Sequence, residues 1–323
     1  MLGKVVTLTI KLIPEKFIPY INQVEVEYGK YSDYSLFIGL LLVFLSVILI
    51  CIDYINEKSR AKFALYQSGL TNTLEESFLY TLQKKEKTNI PLTKVNISTY
   101  TEGNQIVNPN EALNEVNLGI ERFIFNIKDA NYDVNLYYGG LIAVPFSFYS
   151  GMELDDRASI TVFDYHRIEQ KWKEITRTIG DDIKISSSDN GHKNHQSIIA
   201  IGVSYKINTD EIKECFGDVP ISIISVSEVN INNHWDIAFQ NKLQEEFLTL
   251  SQHLSASGTK TIHLILAAQN SVSFNLGRVY DNRNLPELIV YQYEKGNQTN
   301  KYPWGVKMKT SGIAEAKIIY NTK

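Results

Sequence analysis

The chain has 323 residues, 44% of them hydrophobic, with a formal net charge of -4 and a sequence pI near 5.9. That apolar share excludes a disordered chain, and the length suffices for one large or two small cores. The acidic balance excludes a broad basic surface for long nucleic acid, which needs clustered Lys and Arg, but not a small anionic ligand held by a few donors.

Within the first thirty residues, Val6, Leu8, Ile10 and Leu12 alternate with polar neighbours as in a strand, and Pro14, Lys16 and Pro19 interrupt any long apolar run. A membrane helix here would bury Lys11, Glu15 and Lys16, at about 2.5–3.5 kcal/mol for a Lys at mid-membrane. An interfacial or external segment is the preferred reading, and a poor second span (a two-pass chain) is the alternative. From Ser35 to Ile52 run about 18 residues without a charge, which at about 1.5 Å each approach the hydrocarbon thickness of a bilayer. One spanning helix over about 35–52 is expected, within an N-terminal membrane module over 1–60. Lys58, Arg60 and Lys62 follow it, whereas only Lys30 lies close before it, so the large C-terminal part is expected in the cytoplasm. Tyr28, Tyr31, Tyr34 and Tyr54 suit aromatic belts, although tyrosine is frequent throughout. Gly39 and Ser46 are small but seven apart, and read best as ordinary membrane residues. Cys51 and Cys215 have no metal-knuckle or disulfide spacing, which fits a reducing compartment.

A helical connector is expected over 61–86, with a restart at Thr73 and Glu76 three residues on, as in a capping box. KKEKTNIP ends it. From there the chain reads as two copies of one α/β unit, about 87–196 and about 197–323. The first has the β-rich KVNISTYTEG, then a helix from Glu111 to Lys128 with Leu113, Val116, Ile120, Phe123 and Ile127 on one face. A strand over Val134–Val144, a short segment to Gly151 and a strand over Ser159–Tyr165 follow. The second copy has an added opening unit, IIAIGVSY and Asn208–Phe216, then ISIISVSEV. Its helix carries Phe239, Leu243, Phe247, Leu250 and Leu254 and closes at Ser257-Gly258; TIHLILAA, SVSFNLGR and ELIVYQY complete it. Both copies end their last strand aromatic-x-aromatic, as Phe163-Asp164-Tyr165 and Tyr291-Gln292-Tyr293, and trail a tryptophan, Trp172 or Trp304. Alternating strands and helices of these lengths imply parallel sheets covered by helices, in two Rossmann-like halves.

In open parallel sheets ligands bind beyond the carboxyl ends of the strands. Those positions hold Ser98, Thr99, Tyr100 and Thr101, then Pro145 and Ser147, in the first copy. In the second they hold Ser204, Tyr205 and Lys206, then Ser225 and Ser227, then Gln269, Asn270 and Ser271. Hydroxyls, amides and helix-start N–H groups suit phosphates and base edges of a small nucleotide; taken singly, each residue reads better as a turn or cap. Arg278, Lys206 and Arg157 are the cationic candidates, with solubility or local ion pairing as their alternatives.

GLIAVPFSFYSG with TVFDYHRIEQKW, and IHLILAAQNSVSFNLGRV with IVYQYEKG, resemble the SAVED domain, a fusion of two CARF-like subdomains, over roughly Lys87–Lys323. Gln269-Asn270 stand where the first copy has Pro145, a departure between the copies. With a membrane-spanning N terminus, the chain resembles the transmembrane-SAVED effectors of bacterial anti-phage CBASS systems. The resemblance implies that a cyclic di- or oligonucleotide binds the groove, that the chain then self-assembles, and that the inner membrane is disrupted or permeabilised. The expected partners are the cyclic oligonucleotide, further copies of the chain and the lipid bilayer, with no cofactor and no long nucleic acid.

No glycine-rich phosphate loop, GxSxG elbow or HExxH occurs. His192 and His195 form an HxxH without a second ligand pair, and Asp155-Asp156 and Asp181-Asp182 read as solvated turns. Binding without turnover is expected. The rivals are a membrane-anchored hydrolase or nuclease, and a tethered sensor that recruits another effector.

Overall fold

A computed structural model describes residues 7–10, 24–27, 33–69, 74–103, 105–128, 134–155, 159–176, 184–188, 195–310, 312 and 315–322. The chain divides into Met1–Arg60 and Ala61–Lys323. In the first unit β1 (Thr7–Ile10) pairs antiparallel with β2 (Val24–Glu27), in keeping with the alternation of the sequence. Helix α1 runs Asp33–Ser59, and Phe37, Leu42, Phe44 and Leu49 on it are exposed. Among the described residues no helix is long and apolar enough to cross a membrane. The segment expected over 35–52 is found as a helix, within α1.

The second unit begins with a correction. Ala61–Ser68, expected as helix, is strand β3. Ala64, Leu65 and Tyr66 form a short apolar run, which periodicity alone cannot assign to strand or helix. Tertiary pairing decides, because β3 lies between two parallel neighbours, β4 (Leu92–Asn96) and β7 (Val134–Leu141). Helix α2 (Glu75–Glu86) connects β3 to β4; its N-cap is Leu74, without a side-chain cap bond, and Thr73 lies outside the described residues. The stretch 61–86 is therefore the opening strand and helix of the first lobe. Beyond β4 come a 3₁₀ turn at Ser98–Tyr100, the small pair β5 (Thr101–Glu102) and β6 (Gln105–Ile106), and α3 (Pro109–Lys128), whose buried stripe includes Leu113, Val116, Ile120 and Phe123. Strand β7, α4 (Val144–Leu154), β8 (Ile160–His166) and β9 (Lys171–Glu174) complete a sheet of order β4-β3-β7-β8-β9, with only β9 antiparallel.

The second lobe opens with β10 (Ile185–Ser188), counted with the first half in the sequence but paired with the second sheet. Then follow β11 (Gln196–Gly202), α5 (Thr209–Phe216), β12 (Ile221–Val226), a 3₁₀ turn at Asn233–Trp235 and α6 (Ile237–Ala256). Strand β13 (Thr261–Ala267), α7 (Asn270–Val279), β14 (Glu287–Gln292), β15 (Trp304–Lys307) and β16 (Lys317–Tyr320) follow. Helix α5 is capped by the Asn208 side chain, and α6 by Asp236. The inner order β12-β11-β13-β14-β15 repeats that of the first lobe, so the opening unit thought to be added is present in both copies. The tryptophans, expected to correspond, do not: Trp172 lies opposite Tyr165, the last residue of its aromatic-x-aromatic, and Trp304 opposite Gln292, the middle one. A shift of one residue turns them to opposite sheet faces, Trp172 among Tyr66 and Phe78 and Trp304 in the cluster shared by both lobes.

Helices α4 and α7 join the lobes. A Cβ on Gly151 would lie 2.0 Å from the Phe274 carbonyl oxygen, and one on Gly277 2.0 Å from that of Phe148. Only glycine allows this reciprocal approach, which explains why each repeat carries its short segment to a glycine. The match sets the register between copies: counting back six from each glycine pairs Pro145 with Ser271, in place of the Gln269-Asn270 expected there. One hydrophobic cluster runs through both lobes, from Leu65 and Phe148 to Phe274 and Val306.

Candidate functional site

Beyond the carboxyl ends of β7, β8, β13 and β14 lies a cavity of about 260 Å³, lined from both lobes. The first lobe supplies Leu141, Ile142, Asp164, Tyr165, His166 and Arg167. The second supplies Tyr205, His234, Trp235, Gln269, Asn270 and Gln292. The site follows from the duplication, since equivalent strands end facing one space.

Asn270, at the start of α7, accepts from Ile142 N (2.7 Å) and donates to Ile142 O (2.9 Å), as a paired strand residue would. Ser147 Oγ donates to Asn270 O (3.0 Å), and the Tyr138 ring stacks on Phe274 with centroids 3.7 Å apart. Tyr138 OH donates to Gln67 Oε1 (3.0 Å), and Gln67 Nε2 to Ser150 Oγ (2.8 Å), so this buried network reaches β3. Burial holds the Tyr138 phenol protonated, far above its ordinary range. Gln269 is fixed likewise: it accepts from Ser204 Oγ and donates to Ile231 O (2.9 Å).

Asp164, 3% exposed, crosses the lobe junction: Ser271 N donates to its Oδ2 (3.2 Å) and Tyr165 N to its Oδ1 (2.8 Å). His234 Nε2 stands 3.9 Å from Asp164 Oδ2, and neither ring nitrogen makes a hydrogen bond. Burial lowers the His234 pKa, outweighing the opposing pull of Asp164, so the ring is neutral near pH 7. Trp235 packs on His234 with centroids 4.2 Å apart and on His166 at 5.5 Å. Arg167 is exposed at the rim.

Of the residues singled out in the sequence, Tyr205, Gln269 and Asn270 line the cavity. Ser147, Ser204 and Ser271 stand behind it as buried hydrogen-bonding supports, and Pro145 is buried in the first turn of α4. Lys206 is exposed in the loop after β11 and is not part of the lining. Ser98, Thr99, Tyr100 and Thr101 form the turn after β4; the Ser98 N–H is taken by Asn96 Oδ1, and Tyr100 packs on the core. Ser225 and Ser227 bond to the edge segment at Ser186 and Lys184. Arg278 lies in the last turn of α7, opposite the end that lines the cavity, and its Nε donates to Asp155 O (3.3 Å). Arg157, Asp156, Asp181, Asp182 and His192 lie outside the described residues. Sequence reasoning missed Asp164, His166, Arg167, His234, Trp235 and Gln292. For Asp164 and Gln292 a signal existed: each is a polar residue set between two aromatics at the end of a buried strand.

The family model of the SMODS-associated and fused to various effectors sensor domain (SAVED) matches residues 120–308. Among solved structures, the chain is similar to the Acinetobacter baumannii Cap4 SAVED/CARF-domain containing receptor with the cyclic trinucleotide 2'3'3'-cAAA, at 13% identity and a TM-score of 0.51. With 3'3'3'-cAAA bound, the same receptor gives 12% and 0.50. Each match covers 74% of this chain and 50% of the other, so the chain spans about half the length of these relatives. A search of curated proteins gives no match. With more than half its length matched by one sensor-domain model, and two like sheets meeting over a shared cavity, the chain belongs to the SAVED family.

Proposed function

We propose that this chain is a receptor for a cyclic oligonucleotide, bound where the two lobes meet. The observation that carries the reading is the cavity itself: it is built by both copies at their strand ends, with an exposed Arg167 beside aromatic and amide groups. Structures of similar fold hold cyclic trinucleotides, which supports the ligand class. Binding proceeds without turnover.

In this reading the chain is a membrane effector of a CBASS-type defence system, held in the bacterial inner membrane with its C-terminal part cytoplasmic. Helix α1 supports the anchoring: its 27 residues measure about 40 Å at 1.5 Å each, and basic residues follow Ile52 at Lys58, Arg60 and Lys62. Ligand can drive self-assembly only by favouring the assembled state, as a molecule bridging protomers does. Clustering of α1 then permeabilises the bilayer.

The test is thermal unfolding of the full chain in detergent with cyclic di-, tri- and tetranucleotides. A true ligand at 100 times its Kd adds about 2.7 kcal/mol of stability, and the absence of a shift with every ring overturns the reading. Dye release from liposomes holding only this protein tests the membrane step. Ligand binding without release would favour recruitment of another effector.

A further inference from the structure

At Asp164 and Gln292 the hydrogen-bonding capacity left over in the cavity is for acceptance, whereas Trp235 Nε1 and one ring nitrogen of His234, buried without partners in the same lining, remain donors. Gln269 and Asn270 have both ends of their amides engaged. Gln292 Nε2 donates to Tyr293 O (3.1 Å), which makes Oε1 the spare end, and that oxygen is buried without a partner. Such an acceptor has lost its water without a replacement, and is destabilising until something donates to it. Asp164 accepts one N–H at each carboxyl oxygen, and each oxygen keeps further acceptor capacity. The neutral His234 ring, 3.9 Å away, is beyond hydrogen-bond reach.

Asp164 and Gln292 are the same position of the two repeats, the middle of aromatic-x-aromatic. Helix α7 packs on β8 as α4 packs on β14. In the first turn of α7, Ser271 offers an N–H that Asp164 takes; its counterpart in α4 is Pro145, which has none to offer. The two-fold design is broken at this pair, and the break leaves Gln292 Oε1 unmatched. It also turns phosphate away, because the α7 amide end that would hold an anion already holds Asp164. A volume of about 260 Å³ falls below the roughly 300–1,000 Å³ of pockets that enclose a whole drug-sized ligand, so it takes one part of a ring.

We propose that the cavity floor reads the major-groove edge of a nucleobase that bears an amino group there, adenine N6 or cytosine N4, with Asp164 and Gln292 Oε1 as its acceptors and Arg167 at the rim taking phosphate. This rests on the cyclic-nucleotide reading and specifies its base. On the major-groove edge adenine N6 and cytosine N4 donate where hypoxanthine, guanine and uracil present a carbonyl, and a carbonyl facing two acceptors is repelled; the ring N–H of the oxo bases and guanine N2 lie on other edges.

The experiment is calorimetric titration of the full chain in detergent with cyclic triadenylate against its inosine analogue, and with cytidine rings against uridine rings. The amino-bearing ring is expected to bind at least about tenfold tighter. Asp164→Asn, whose amide can turn to either edge, and Gln292→Leu should each shrink that ratio severalfold, whereas Arg167→Gln weakens both rings alike. Thermal unfolding identifies which variants fold, and the wild-type ratio is read without any of them. Oxo rings binding as tightly as amino rings, or an unchanged ratio in a folded Asp164 or Gln292 variant, overturns the base assignment and leaves the receptor reading standing. If no ring binds the wild-type chain, both fall.

Discussion

Gly151 and Gly277 show how much one hydrogen atom in place of a methyl can decide. Each is met at 2.0 Å by a backbone carbonyl of the facing helix, and backbone cannot swing aside as a side chain can. Gly151→Ala or Gly277→Ala is therefore expected to force α4 and α7 apart and to cost about 1–3 kcal/mol or more, read as a lowered thermal midpoint. The two changes should combine non-additively, since they open the same contact. A second residue of consequence is His263, buried on β13 with Nδ1 3.0 Å from Tyr291 OH and with Nε2 unpartnered. Burial lowers its pKa from 6.5 to about 4. Between those values the unfolded chain binds the proton and the folded one does not, so stability is full above about pH 6.5 and falls as the pH drops toward 4, by on the order of 3 kcal/mol. His234, lowered in the same direction, adds to the slope. Unfolding midpoints of the wild-type chain and His263→Gln across this range should show a shallower acid decline in the variant.

Among the elements, β3 carries the largest revision. Sequence periodicity treated 61–86 as a connector outside the sensor, yet β3 is hydrogen-bonded on both sides within the first sheet, and Phe78 of α2 packs against Tyr66 and Trp172. A fragment starting at Lys87 would leave β4 and β7 without the strand between them and strip Phe163 and Trp172 of cover. Such a fragment is expected to lack a cooperative unfolding transition, whereas one starting at Ala61 should show one; scanning calorimetry of the two decides. The helices that sequence patterning marked, α3 and α6, formed as expected because each carries a long apolar stripe that only one face can bury. Short elements were harder. Three buried apolar residues in a row at Ala64, Leu65 and Tyr66 fit a helix as well as a central strand until the neighbours are known.

At the scale of the whole molecule, the duplicated lobes place one cavity at their junction, and only Arg60 separates the end of α1 from the start of β3 along the chain. The receptor role and the membrane role are separable in this proposal. Replacing Leu42, Phe44 and Leu49 with Ser should leave ligand affinity within about twofold and abolish dye release from liposomes; loss of affinity would contradict that separation. The candidate site was partly legible. Tyr205, Gln269 and Asn270 follow from the rule that loops after parallel strands meet the ligand. Arg167, directly after β8, falls under the same rule and was overlooked, whereas His234 and Trp235, in the 3₁₀ turn before α6, carry no local signal.

The amino-acid sequence by itself determined that the chain holds two copies of one α/β unit, where its long helices lie, and that each copy ends a short segment at a glycine, because periodicity and composition act within a stretch of chain. Tertiary structure alone decided that β3 is a central strand, that the two glycines face each other's helix, and that Asp164 caps a helix of the opposite lobe while the Gln292 amide oxygen, across from a proline, has no partner. Those outcomes depend on groups far apart in the chain, more than a hundred residues for the two glycines and Asp164, coming within a few ångströms, and hydrogen bonding and steric exclusion at that range have no expression in local pattern.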